Sequence, residues 1–278
     1  AGRPDTPCVA VCSTTFDEVC RGCGRTVAEV AHWVSMSADA KELVWQRILA
    51  QGQQLLRIAA TDLTRPDPLS TLPGVAATLA DLASAALEAA LAIARSETPD
   101  HHVVRLAVLG MGKTGGRELN YISDVDVVFV AEVAPAAEHD GGAPDPAPDR
   151  DELEQHAMRV GARLATGMAR ACSGTSLEPA LWEVDAALRP EGKQGPLVRT
   201  LASHLAYYQR WAKTWEFQAL LKARPVAGDR ALGNAYVEAL SPLVWTAAQR
   251  ENFVEDAQAM RRRVEAHVPP READRQLK

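Results

Sequence analysis

The stretch DVDVVFVA at residues 124–131 constrains the chain more than any other feature. β-Branched and aromatic residues dominate it, which favours a strand. In a strand, residues i and i+2 project to the same side. Asp124 and Asp126 therefore point together, while Val125, Val127 and Phe129 point into the opposite layer. Two adjacent carboxylates disfavour each other's charge unless a cation joins them. A fold containing this strand must bury one of its sides and set something positive against the other.

The neighbouring segments suggest how. VVRLAVLGMG (103–112) reads as a buried strand ending in glycine, and LWEVDAALRP (181–190) as a third strand. QQLLRIAATDL and PGVAATLADLASAALEAALAIARSE read as two helices split by TRPDPLSTLP. In the second, Val75, Leu79, Leu82, Ala86 and Ala90 recur near the helical period. A loop rich in Pro, Gly and Asp follows the second strand, then a helix from about Asp151 to Cys172. Beyond Thr200 the pattern is helical to the end. The expectation is an α+β core over 99–200, flanked by helical segments at 53–98 and 201–278 and preceded by a small module at 1–52.

The turn GMGKTGG lies just upstream of the aspartates. A phosphate-binding P-loop has the form G-x-x-x-x-G-K-[ST]. Gly112, Lys113 and Thr114 supply its end, but the position five before Gly112 is Ala107, and Gly110 is only two residues away. The loop is too short to wrap a phosphate, so a P-loop hydrolase is the weaker reading. Magnesium (or manganese) answers the carboxylate problem better, because it takes hard oxygen ligands and often binds through one or two carboxylates plus substrate phosphates. Asp185, on the strand expected at 181–190, gives a third carboxylate, enough for a pair of metals that activates a nucleophile and steadies a leaving group.

Four of the five cysteines cluster near the start as Cys8-x3-Cys12-x7-Cys20-x2-Cys23. In a reducing compartment such spacing points to a metal, either zinc or an iron–sulfur centre. Two helices are expected after it, with Leu43, Val44, Ile48 and Leu49 on one apolar face and Trp33 and Trp45 closing a small core over the metal. A net charge of −6 and a pI near 5.7 argue against a nucleic-acid partner. The longest apolar stretch, Val75 to Arg95, is interrupted by Asp81 and Glu88, so no membrane span is expected. No signal peptide opens the chain, which makes a cytoplasmic setting the expectation. The chain opens at Ala1 and closes at Lys278 in helix-like sequence, which fits a fragment.

A glycine turn followed after about ten residues by D-x-D resembles the DNA polymerase beta-like nucleotidyltransferases. GMGKTGGRELNYISDVDVVFV, LWEVDAALRPEGKQGPLVRT, AYYQRWAKTWEFQALLKARPVAGD and FVEDAQAMRRRVEAHVPPREADRQLK together resemble a narrower family, the glutamine synthetase adenylyltransferases, over about residues 54–278. The resemblance implies a DNA polymerase beta-like nucleotidyltransferase fold and glutamine synthetase as partner. It also implies ATP, ADP and phosphate as small-molecule partners. The wording is most similar to the family's N-terminal half, which removes AMP from a tyrosine by phosphorolysis; the related half adds it from ATP. Carried over residue by residue, the metals would sit on Asp124, Asp126 and Asp185. Gly112 and Lys113 would face the nucleotide phosphates, and Arg189 and Lys193 would pair with phosphate oxygens. Ser123 would cap the turn, and Glu216, Lys222 and Arg224 would lie near the site. Thr114 departs from the larger apolar residue or cysteine expected there. Residues 6–51 resemble a short bacterial Cys-rich family of predicted iron–sulfur proteins, so a fusion near LAQGQQLLRIAATDL is the expectation. The rival to an enzyme is a catalytically silent interaction module whose working part is the cysteine cluster.

Overall fold

In a computed structural model of the chain, two apolar strands form the centre. β1 (Val104–Gly110) and β2 (Val125–Val133) pair antiparallel, from Val104 opposite Val133 to Gly110 opposite Val127. The described residues are 25, 27–45, 58–60, 62, 67–121, 123–135, 150–173 and 182–266. Cys8, Cys12, Cys20 and Cys23 lie outside them, as do Ile48 and Leu49.

β2 is a near-continuous apolar run because the sheet is covered on both faces. Val125, Val127 and Phe129 project into a layer built from α3 (Pro68–Ser96) and α5 (Arg150–Ser173). Val128 and Val130 project into the other layer, built from α6 (Leu201–Arg210), α7 (Thr214–Leu220) and α8 (Arg230–Ala247). The period-2 argument from sequence is thus realised, with apolar residues on both sides and Asp126 on the α6–α8 side. Beyond β2, β3 (Val184–Asp185) and β4 (Val198–Arg199) pair with it in parallel. Beyond β1 lies β5 (Arg224–Gly228), antiparallel to it. The result is a mixed five-stranded sheet in the order β3-β2-β1-β5, with β4 also on β2.

Three expectations require correction. The segment TRPDPLSTLP does not separate two helices throughout its length, because α3 begins at Pro68. The Asp67 carboxylate caps the helix by accepting from the Leu69 N–H at 3.1 Å, and Pro68 occupies the first position, where its missing donor costs nothing. Pro73 removes one bond farther in, but this first stretch is solvent-facing at Leu69 and Leu72. Second, the strand expected over 181–190 is only two residues long, and a looped turn takes over at Ala186. Third, the region after Thr200 is not wholly helical. Arg224–Gly228 is a strand, since Pro225 cannot continue a helix and is tolerated on a sheet edge. Asp229 then caps α8 by accepting from the Leu232 N–H at 2.8 Å and pairs with Arg105 at 2.7 Å. Helix α9 (Phe253–Ala266) follows.

Residues Leu69–Ser96 of α3 are long and apolar enough to cross a bilayer by composition alone. Here the stripe Leu79, Ala83, Leu87, Leu91 and Ala94 is buried in the layer shared with α5 and the sheet. Gly167 of α5 permits that approach, since a Cβ there would come within 3.0 Å of the Ala94 Cβ.

Near the start, α1 (Val27–His32) precedes α2 (38–45). Trp33 is buried, with the Arg25 guanidinium 4.8 Å and the Lys41 ammonium 5.6 Å from its ring centroid. Val44 is buried, whereas Leu43 is 67% exposed and so is not on the expected apolar face. Adjacent helix positions diverge by about 100°, and only one of the two can face inward.

Gly74 lies inside α3 with open space where a Cβ would project. Gly74→Ala is expected to stabilise the fold by roughly 0.5–1 kcal/mol, because glycine is a poor helix former and loses more backbone freedom. A thermal melt showing no increase in Tm would contradict this account of the helix start.

Candidate active site

The carboxylates are brought together by strand register. Asp126 lies on β2 directly opposite Asp185 on β3, and Asp124 immediately precedes β2. One oxygen from each of the three lies within 4.8 Å of the others. Asp124 is exposed, and the other two are half-buried. Asp185 is oriented by its own backbone, its Oδ1 accepting from the Ala187 N–H at 2.7 Å.

The effect of this crowding falls on Asp126. Its pKa is pushed up to about 6, first by burial and then by the charges of Asp124 and Asp185, while Lys113 acts in the opposite direction. Lys113 is thus near enough to Asp126 for its charge to be felt there.

The glycine turn abuts them. It is a short helix, α4 (Gly112–Gly115), tied to β2 by the Met111 N–H, which donates to the Asp126 carbonyl at 2.9 Å. Gly112 holds φ at +49°, and a Cβ there would come within 3.0 Å of Asp126 Oδ2. Glycine is required both for that conformation and for the backbone's approach to the carboxylate. Behind the turn, a Cβ on Gly115 would lie 2.0 Å from the Lys222 carbonyl oxygen and 2.4 Å from that of Gly110. Arg224 fastens the turn to β5, donating from Nε to the Gly115 carbonyl and from Nη2 to the Thr114 carbonyl, each at 3.1 Å. Thr114 is fully buried, and its hydroxyl has no hydrogen-bond partner among the described residues.

The remaining sequence-expected residues take varied places. Arg189 straps a loop, donating to the Ala186 carbonyl at 2.8 Å and the Gly195 carbonyl at 3.2 Å. Lys193 is exposed on the turn Gly192–Gln194 of the same loop. Ser123 is half-buried beside Asp124. Lys222 pairs with Glu118. Glu216 is buried and serves α7, its Oε2 accepting from the Lys213 N–H at 2.8 Å. Phe217 is packed in the core, as expected of a helix aromatic, whereas Trp211 is 72% exposed. Sequence reasoning overlooked Glu191, Arg199 and Tyr207. Nothing in the residue type of Glu191 marks its left-handed conformation, and Arg199 and Tyr207 lie outside the turn PEGKQG that contains it.

Three oxygen donors, partly withdrawn from water and mutually repulsive, fit a divalent cation of the magnesium class and do not suit a soft metal.

Comparison with known families agrees. The family model described as glutamate-ammonia ligase adenylyltransferase matches residues 10–239. The chain belongs to the glutamate–ammonia ligase adenylyltransferase family. Among curated relatives, the bifunctional glutamine synthetase adenylyltransferase/adenylyl-removing enzyme of Streptomyces coelicolor is 57% identical over 242 residues, covering 87% of this chain and 23% of the relative. The proteins of the same description from Leifsonia xyli subsp. xyli and Mycobacterium bovis are 49% and 52% identical; 86% and 81% of this chain aligns with 24% and 20% of theirs. The chain thus spans less than a quarter of the length of these relatives. The family match crosses the boundary expected near residue 52 and takes in Cys12, Cys20 and Cys23 with the carboxylates.

The raised pKa of Asp126 gives a pH-dependent prediction for the metal-free protein. Below pH 3.8, its ordinary value, Asp126 is protonated whether folded or unfolded; between there and about 6, only the folded chain keeps the proton. Its contribution to stability is therefore fully present at low pH and lost as pH rises through about 6. Asp126→Asn should raise the stability of the chelator-treated protein at pH 7.5 by on the order of 1–2 kcal/mol, allowing for partial solvent access. The gain should fade towards pH 4. Thermal melts across that range test it, and a pH-independent gain would rule out charge repulsion as the cause.

Proposed function

We propose that the chain carries a metal-dependent nucleotidyltransferase site acting on glutamine synthetase in the cytoplasm. The proposed reaction removes AMP from a modified tyrosine with phosphate, giving ADP; the same site would also serve transfer of AMP from ATP. The observation that carries the proposal is the set of three carboxylate oxygens within 4.8 Å of one another, beside a glycine turn that approaches Asp126. Family membership and the wording of the relatives' names support the choice of protein substrate.

In the removal reaction an oxygen of inorganic phosphate attacks the α-phosphorus in line. The bond from phosphorus to the tyrosyl oxygen breaks, and that oxygen takes up a proton. In the reverse sense of transfer, the tyrosyl oxygen attacks the α-phosphorus of ATP and pyrophosphate leaves. Magnesium or manganese held by Asp124, Asp126 and Asp185 would supply neutralisation of the charge that builds on the phosphoryl oxygens.

The chain's own residues provide position. Gly112 lets the backbone come close to a phosphate without a side chain in the way, and Lys113 adds a positive charge on the same side. Arg189 holds the loop that presents Lys193, which is free to reach a phosphate oxygen from the solvent side. Catalysis here is alignment and electrostatics, with no side chain required to form a bond to the nucleotide.

The test is phosphate-dependent ADP release from AMP-modified glutamine synthetase, measured beside AMP incorporation from ATP. Asp124→Asn should lower the rate by a factor on the order of 10²–10³, as expected when charge stabilisation is removed from the transition state. Wild-type turnover in that variant would sink the assignment of the site.

A further inference from the structure

Among the described residues, two that are not glycine hold a left-handed backbone, Arg117 and Glu191. Glu191, at φ +63°, lies in the loop that follows Asp185. A residue with a Cβ is uncommon in that conformation, and persists where its surroundings over-determine it.

Its surroundings do so. The Glu191 backbone N–H interacts with the Tyr207 hydroxyl, and the Glu191 carboxylate accepts from Arg199 Nη2. The Tyr207 hydroxyl in turn donates to Glu216 Oε1 at 2.7 Å, and Glu216 is buried at the start of α7. Arg199 also donates from Nη1 to the Ser203 hydroxyl at 3.3 Å and lies 6.0 Å from the Tyr207 ring centroid. A residue on an exposed turn is thereby anchored to β4, α6 and α7.

The loop transmits that anchorage to the carboxylates. Arg189 bridges its two ends through the Ala186 and Gly195 carbonyls. Gly195 packs so closely that a Cβ there would lie 2.3 Å from the Pro190 carbonyl oxygen and 3.1 Å from the Glu191 Cβ. At the other end, the Ala187 N–H holds Asp185 Oδ1 at 2.7 Å. Glu191 thus lies in a ring closed at Ala186 and Gly195 that begins directly after the third carboxylate.

We propose that Glu191, held by Arg199 and Tyr207, is a positioning residue that sets the place of Asp185 and thereby the affinity of the carboxylate site for a divalent cation. The inference rests on the reading of the carboxylates as a metal site. Two variants of the full chain test it. Tyr207→Phe deletes the hydroxyl, and Glu191→Gly deletes the carboxylate while suiting the left-handed backbone. Manganese binding is read from the electron paramagnetic resonance signal of the free ion, with thermal melts of the metal-free protein alongside. Both variants should bind manganese about tenfold more weakly than wild type, as is common when the supports of a ligand are removed, with Tm unchanged in Glu191→Gly and lowered in Tyr207→Phe, where buried Glu216 loses a donor. Wild-type affinity in both would overturn the proposal. So would a lowered Tm with unaltered affinity in the folded fraction, since that marks a purely structural role. Failure of the underlying reading differs: wild type itself would then bind no manganese that Asp126→Asn removes, and both ideas would fall together.

Discussion

Repulsion among Asp124, Asp126 and Asp185 is the constraint around which the site is organised. Two unit charges within 4.8 Å repel by roughly 3 kcal/mol at an effective dielectric of about 20. The parallel pairing of β2 with β3 leaves no way to relieve this, because register fixes Asp126 opposite Asp185. The fold offsets it locally. Asp185 accepts a backbone hydrogen bond from Ala187, of a kind that contributes about 1.5–3 kcal/mol when the acceptor is charged, and Lys113 opposes the rise in the Asp126 pKa. In the proposed reading, a cation that joins the carboxylates would remove the remainder.

Holding that charge in place demands a rigid support, which explains why β1 and β2 are apolar on both faces. Leu106 and Val108 join the α3–α5 layer, while Ala107 and Leu109 join the α6–α8 layer. The outer partner β5 pairs irregularly, with a shift in register between Val108 and Leu109. The shift lies next to the glycine turn, where Arg224 leaves the edge strand to fasten the Thr114 and Gly115 carbonyls. An irregularity that re-aims a side chain beside a site is a common use of such bulges.

Much of this was legible in the sequence, for a physical reason. The alternation in DVDVVFVA follows directly from strand geometry, so the facing of Asp126 and the burial of Val125, Val127 and Phe129 could be read residue by residue. Gly112 and Lys113 were singled out through the resemblance to the nucleotidyltransferases, and the structure sets Gly112 against the Asp126 carboxylate. Less legible were features that depend on distant partners. β5 was hidden because RPVAG has no alternation and gains its identity only from pairing with β1. The shortness of β3 was hidden because Arg189, which resembles a phosphate ligand in sequence, closes the following loop through two carbonyls. Glu191 was hidden because nothing in its residue type marks a left-handed backbone.

The two sides of the site are consequently fixed by different means. On the turn side, position is set by exclusion: a Cβ on Gly110 or Gly115 would meet core or backbone atoms, and one on Gly112 would meet the Asp126 carboxylate. A change at Gly110 or Gly115 therefore disturbs the fold along with the site. On the loop side, position is set by polar contacts between side chains, which can be removed one at a time while the apolar layers remain intact. On the proposed reading of the carboxylates as a metal site, differences in affinity that leave the fold unchanged would arise mainly from the loop side. The turn is fixed by contact between atoms that lack room to move, whereas the loop after the third carboxylate is fixed by hydrogen bonds from side chains.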